Sequence, residues 1–439
     1  MKKRIVASIL AMTMLLSLAG CSGSSGESGG GSDGDVVEIE FLHGNPEEAR
    51  IQAIDEIIAD FEEENPDIKV TQVPVQDDSF WTKVTTMMSA GELPAVLEAG
   101  VDQLRQVNAE GALDLDANEK AIEAIGKDRF YSGALEMAMA PEKAGYLGVP
   151  VSGWVSGIWY RKSLFEENGL EPPTTWENIL KAAQTLNDPA NKNYGIMISS
   201  AEVDFTEQSF SSFTGSVGYQ LFDDEGQPRF NTPEMKELLE FYNELYKCSM
   251  PGSNGVEEVN DAFTGGHAAM AVYSTYIMET LANQGLADDV GFAIPENTEQ
   301  GSFGMTSNLA ISNMVPEEER EAAVKFIAFL GEKEENIKWC HMSPGGSNPV
   351  LKDVAEDPEY LDNEVLQAFG DTAAAIPETF ENLQMLGVQD GEVNPAMANI
   401  SSKFIIPHYI NQILVQGEDI DTAMQECQAA LEAEVEAVK

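Results

Sequence analysis

Residues 37–73 read VEIEFLHGNPEEARIQAIDEIIADFEEENPDIKVTQV, and this stretch decides the fold. Val37, Ile39 and Phe41 alternate with Glu38 and Glu40, the period-two pattern of a strand with one buried face. After the His43-Gly44-Asn45-Pro46 turn, Ile51, Ile54, Ile57, Ile58 and Phe61 lie on one side of a helix that Pro66 ends. Ile68 to Val73 returns to strand alternation. A strand, helix, strand unit of this kind calls for a parallel sheet covered by helices.

The same grammar continues outward. A helix around Trp81 to Ala90 leads to a short strand at Ala95-Val96-Leu97, and Asn308 to Val315 is strand-like. Thr174-Thr175-Trp176-Glu177 fits a capping box, and Asn231-Thr232-Pro233-Glu234 puts proline in a first helical turn. Glu317 to Leu330 reads as a helix closed by Gly331, and Asp419 to Val438 as another.

Across 439 residues, 75 acidic side chains face 25 basic ones, a formal charge of −50. Such a surface repels phosphate backbones and anionic headgroups, which excludes nucleic acid as a partner and a basic membrane-docking patch. Apolar residues at 43% and charged residues at 23% are ordinary globular values. Lys2, Lys3 and Arg4 precede an apolar run, Ile5 to Leu18, too short to span a bilayer, so residues 1–20 read as a secretory leader. Leu18-Ala19-Gly20-Cys21 looks like a bacterial lipobox, with lipid attached at Cys21. Residues 21–35 then form a Gly/Ser-rich tether reaching roughly 20 Å. Cys248, Cys340 and Cys427 form no CxxC pair; they read as buried thiols, with a disulfide between two of them left open.

Several stretches together resemble the family 1 extracellular solute-binding proteins, the maltose-binding-like receptors of ABC sugar importers. Phe61-Glu62-Glu63-Glu64-Asn65-Pro66-Asp67-Ile68-Lys69-Val70 is similar to that family's first helix-to-strand passage, and Ala90-Gly91-Glu92-Leu93-Pro94 to its small-Gly-x-x-Pro turn, with Ala95 where aspartate is usual. Gly148-Val149-Pro150, Trp159 to Phe165, Gly169-Leu170 and Pro173 to Trp176 make the most specific block. Ala262 to Met270 and Leu309-Ala310-Ile311-Ser312 complete the order.

The resemblance implies an α/β, two-lobe periplasmic-binding-protein-like fold of type II, each lobe a mostly parallel sheet flanked by helices, with the ligand cleft at the hinge. Residues 36–149 plus about 300–342 would form lobe one, and 150–299 plus about 343–439 lobe two. It implies a monomeric, non-enzymatic receptor without cofactor or metal. The receptor would capture an oligosaccharide and pass it to the transmembrane subunits of an ABC permease. It would stand on the outer face of the bacterial cytoplasmic membrane through its lipid alone, the Gram-positive arrangement being favoured and Ser22 compatible with either envelope.

Neutral sugars ask for aromatic faces against their C–H surfaces and for amides or carboxylates bridging adjacent hydroxyls. Trp154, just past the crossover at Pro150, and Tyr276, where the family commonly has an aromatic, are the stacking candidates; Trp81 is a third. His43 and Asn45 end the first strand, Glu98 follows the Ala95 to Leu97 strand, and Glu202 and Asp204 follow Ile196 to Ser199, positions where hydroxyl-binding groups would sit. Trp159, Trp176 and Trp339 fall in apolar periodic stretches and read as core. The chain has no P-loop and no HExxH. Asp114-Leu115-Asp116-Ala117-Asn118 begins like a calcium loop but lacks its glycine, and reads as a polar loop. A secreted glycoside hydrolase with paired carboxylates, and a receptor for a polyamine or other cation, remain as alternatives.

Overall fold

The computed structural model of the chain describes residues 36–389 and 391–438. The leader, the tether and Cys21 lie outside the described residues.

Strand β1 (Val37–His43) pairs in parallel with β2 (Ile68–Pro74) and with β3 (Val96–Gly100). The connecting helix Glu48–Glu64 buries Ile54, Ile57, Ile58 and Phe61, and the Asn65 side chain closes it by donating to the Phe61 carbonyl at 3.0 Å. Beyond β3 the sheet becomes mixed. It continues through β4 (Val149–Arg161), β5 (Met270–Ser274), β6 (Val290–Ala293), β7 (Ser302–Ile311) and the two-residue β8 (Leu383–Gln384). The order is β2-β1-β3-β7-β4-β5, with β6 also on β4 and β8 on β7. Among the described strands of this sheet, β3–β7, β4–β7, β4–β5 and β4–β6 are antiparallel, so it is less parallel than the opening unit suggests.

Two long strands tie the halves together. The first part of β4 pairs with β7 and its last part with β5 and β6, while the end of β7 pairs with β3. Pro150 has no N–H to give a ladder, and the β4–β7 register shifts between Pro150 and Ser152. A bulge of this kind accommodates proline and changes the facing of the residues that follow.

Phe41 anchors the core beneath β1, with Phe326 and Trp339 rings 5.7 and 6.3 Å away. Phe326 belongs to the helix Glu317–Leu330 and also meets Phe61 at 5.2 Å. Leu42, on the opposite face of β1, joins Leu97 and Leu104 in a smaller cluster. A third cluster joins the helices Pro233–Tyr246 and Ile420–Ala437 to β5. Cys248, Cys340 and Cys427 are free and buried in these clusters, with no disulfide between them.

Some local expectations shift. The cap of the helix Trp176–Leu186 is Thr175, whose hydroxyl takes the Asn178 N–H at 3.2 Å, one residue later than the capping-box pattern suggested. Asp114 begins the helix Leu115–Ile125 by accepting the Ala117 N–H at 2.9 Å, so this segment is a helix start and not a loop. Gly331 follows its helix at φ −82°, which any residue adopts; glycine is needed because a Cβ there would lie 2.5 Å from Ile125.

Candidate functional site

The ends of β1 and β3, the bulged part of β4, the middle of β7 and the turn after the helix Lys333–His341 enclose a cavity of about 200 Å³. Asn45, Glu98, Trp154 and Tyr276 line it together, although they lie far apart in sequence. Arg50, Ser152, Ser307 and Trp339 complete its polar and aromatic wall.

Glu98 is the charged centre. Its carboxylate accepts the Ser307 hydroxyl at 2.8 Å, the Asn45 amide at 2.6 Å and the Gly44 backbone N–H. Burial pushes its pKa up; the three donors and the nearby Arg50 guanidinium pull it back only in part. Arg50, in the first turn of the helix Glu48–Glu64, donates to Asn45 Oδ1 at 2.9 Å. The Asn45 amide thus holds an anion with its nitrogen and a cation with its oxygen.

The opposite wall is aromatic. Trp154 and Tyr276 rings stand 6.2 Å apart with planes 58° apart, and Phe303 meets Trp154 edge-on at 5.8 Å. Tyr276 is 50% exposed, as a stacking face must be. The turn Ser343–Ser347 closes on it so tightly that a Cβ at Gly346 would lie 2.3 Å from the ring. Buried Asn348 pins that turn. Its amide donates to the Gly345 carbonyl at 2.7 Å, the Gly153 carbonyl at 3.1 Å and Thr275 Oγ1 at 3.2 Å.

Trp339 was expected in the core. It is buried, yet its indole N–H donates to Ser152 Oγ at 3.2 Å and one part of it forms the cavity wall. Trp159 is wholly buried, and Trp176 stacks on Phe241 at 4.1 Å.

The other sequence candidates lie elsewhere. His43 is fully buried behind the cavity, its ring 4.9 Å from Phe41 and its Nε2 3.0 Å from the Gln72 side chain of β2. Trp81 is half-buried against the Leu42, Val84 and Leu97 cluster, on the inner face of the helix Asp77–Ala90. Glu202 is exposed and faces His408 Nδ1 at 3.1 Å; Asp204 begins the helix Asp204–Thr214, holding the Phe205 N–H at 2.9 Å.

Asp204 nevertheless belongs to a second locus. One turn beyond Asp204, Glu207 accepts the Ser401 hydroxyl at 2.9 Å, and its other oxygen is buried without a partner. Burial, with Asp102 and Asp204 nearby, pushes its pKa up to about 7. Asp102 lies two residues past Gly100 of the cavity wall, so this locus approaches the cavity's rim. Phe404 follows Ser401 by three residues, at the exit of the helix Met397–Ser402, with φ 52° and 38% of its surface exposed. The left-handed exits at Gly91, Gly169 and Gly417 use glycine, whereas Lys192, like Phe404, does not. A bulky ring in that conformation is strained and exposed at once, a combination that pattern reading does not detect.

Among the described residues, no group of three or more His, Cys, Asp and Glu is placed to hold a metal ion. What the cavity offers is recognition: hydroxyl donors and acceptors, a carboxyl and a guanidinium bridged by the Asn45 amide, and aromatic faces.

Comparison with known proteins gives a consistent picture. The family model for bacterial extracellular solute-binding proteins matches residues 45–337. A putative ABC transporter periplasmic-binding protein of Escherichia coli K12, YcjN, is 38% identical over 91% of this chain and 93% of its own. The multiple sugar-binding protein of Streptococcus mutans is 25% identical over 81% and 84%. Among solved structures, the cyclic α-maltosyl-1,6-maltose binding protein of Arthrobacter globiformis superposes with a TM-score of 0.76, covering 91% of this chain and 99% of that one at 19% identity. The sugar-binding protein MalE of Xanthomonas citri gives 0.77, covering 92% and 98% at 18% identity. At those identities the likeness establishes the fold.

Proposed function

Because the chain belongs to the bacterial extracellular solute-binding proteins, a family of receptors and not of enzymes, we propose that it captures a neutral carbohydrate in the cavity between Glu98 and Trp154. It then delivers the sugar unaltered to the transmembrane subunits of an ABC importer. The observation that carries this reading is that the one carboxyl lining the cavity already has its donors. Glu98 is met by three donors and offset by Arg50, while Trp154 and Tyr276 supply the apolar faces. A cationic cargo would need carboxylates left over, and a sugar needs hydroxyl partners beside aromatic rings.

The reading extends to an oligosaccharide, with Phe404 and the carboxylates beside it as a second aromatic face at the rim. Sugars also figure in the names of the similar proteins from Streptococcus mutans and Arthrobacter globiformis. Residues 36–149 plus 300–342, and 150–299 plus 343–439, act as two lobes that close on the ligand about β4 and β7; the ligand shifts this equilibrium through its preference for the closed form. A lipid on Cys21 holds the receptor at the outer face of the cytoplasmic membrane.

Calorimetry against maltose, maltotriose, hexitols and spermidine tests the reading, followed by chromatography of the recovered ligand. Saccharide binding with intact recovery supports it. Binding of spermidine alone, or recovery of shortened sugar, overturns it.

A further inference from the structure

The geometry points to His43 as a positioning residue: without touching ligand, it sets the turn that lets Asn45 hold both charged groups of the cavity. The inference rests on the cavity being the ligand site. His43 is 0% exposed and does not line the cavity, yet both ring nitrogens are engaged. The Asn45 backbone N–H can only donate, and it meets Nδ1 at 3.2 Å. A neutral ring that accepts at Nδ1 carries its proton at Nε2, where Gln72 Oε1 lies 3.0 Å away. Gln72 cannot present its nitrogen instead, because that nitrogen donates to the Ile51 carbonyl at 3.0 Å and to the Asp55 carboxylate. Every partner is therefore fixed in role, and so is the tautomer. Burial also drives the ring's pKa down to about 4, against smaller opposing effects from Gln72 and Asp55, which keeps it neutral and its acceptor available at neutral pH.

The consequence lies two residues on. With its backbone tied to His43, Asn45 points its amide nitrogen at Glu98 at 2.6 Å and its oxygen at Arg50 at 2.9 Å. The chain of bonds runs from Asp55 on the helix Glu48–Glu64, through Gln72 on the edge strand β2, His43 and Asn45, to Glu98 and Ser307. The strand pairing of β1 with β2 thereby aligns groups in a cavity that β2 does not line.

A double-mutant cycle on the full chain, with maltose as the probe, tests this. His43→Leu, which removes the acceptor, weakens binding at least tenfold. His43→Asn, whose Oδ1 replaces Nδ1 as acceptor, stays within threefold of the unsubstituted chain. On an Asn45→Ala background, His43→Leu changes affinity less than twofold, because the residue it acts through is already gone. Unsubstituted affinity in His43→Leu, or its full loss persisting on the Asn45→Ala background, overturns the proposal. If the unsubstituted chain binds no maltose, the reading of the ligand is what fails. Nitrogen NMR of the ligand-free chain at pH 7 then decides for His43. A bare Nδ1 coupled to the Asn45 N–H supports the assignment, and a proton on Nδ1 removes it; the same spectrum decides if His43→Leu does not fold.

Discussion

Ser307 on β7 gives its hydroxyl to Glu98 on β3 at 2.8 Å, a bond between residues 209 apart in sequence that exists only because these strands pair antiparallel. Its loss is expected to leave one carboxylate oxygen short of a donor. Ser307→Ala should therefore cost about 1–3 kcal/mol of stability in urea unfolding, and weaken saccharide binding as well. An unchanged unfolding midpoint would show that Glu98 is satisfied without it.

Trp154→Ala is expected to weaken ligand binding by more than about 1 kcal/mol, as truncation of a buried aromatic anchor does. Calorimetry giving unchanged affinity would remove Trp154 from the site. Trp159→Ala, in contrast, removes a wholly buried ring and is expected to act on folding first, by about 3–5 kcal/mol.

Two buried groups make opposite contributions to the pH dependence of stability. The Glu207 pKa is raised to about 7, so the folded state holds a proton that the unfolded chain releases near 4.5. Its contribution is complete below about 4.5 and disappears as pH rises through 7, on the order of 2 kcal/mol after allowance for partial solvent access. The His43 pKa is lowered from 6.5 to about 4, so its contribution is present above 6.5 and lost as pH falls toward 4. Urea titrations of Glu207→Gln should flatten the loss between pH 4.5 and 7, and those of His43→Asn the loss between 6.5 and 4. Curves parallel to the unsubstituted protein's would refute both assignments.

Phe404→Gly relieves a left-handed backbone while deleting an exposed ring. The strain released is roughly 1 kcal/mol, which offsets the lost ring contacts, so stability should stay within about 1 kcal/mol of the starting value. Binding of maltotriose should fall, with maltose less affected. Equal affinity for both sugars in the variant and the parent would separate Phe404 from the ligand path.

The sequence makes the opening unit of the fold plain because Ile39, Phe41, Ile54, Ile57 and Phe61 repeat at strand and helix periods without interruption. The start of β7 is hidden: Ser302, Gly304 and Thr306 are small or polar, although Gly304 and Thr306 pair with β4 and Ser302 with β8. Asn45, Glu98, Trp154 and Tyr276 could be located because each sits at or just beyond a strand with a clear pattern. Arg50 and Ser307 could not, since their proximity to Glu98 arises from helix entry and from strand pairing. His43 shows the same limit: the turn placed it near the cavity, but only the pairing of β1 with β2 brings the Gln72 side chain to its Nε2. Glu202, Asp204 and Trp81 sat at plausible positions for the cavity but do not line it: Glu202 faces His408 from the bend before the helix Asp204–Thr214, and Asp204 and Trp81 are held by their helices.

Trp339 touches the Phe41 core with one edge and borders the cavity with another, its indole N–H held by Ser152. An indole held in that position carries an intrinsic optical gauge. Any guest that displaces water from the cavity alters the polarity around an excited ring that cannot turn away, so a shift in ultraviolet emission reads occupancy without a dye, a label or an added reporter.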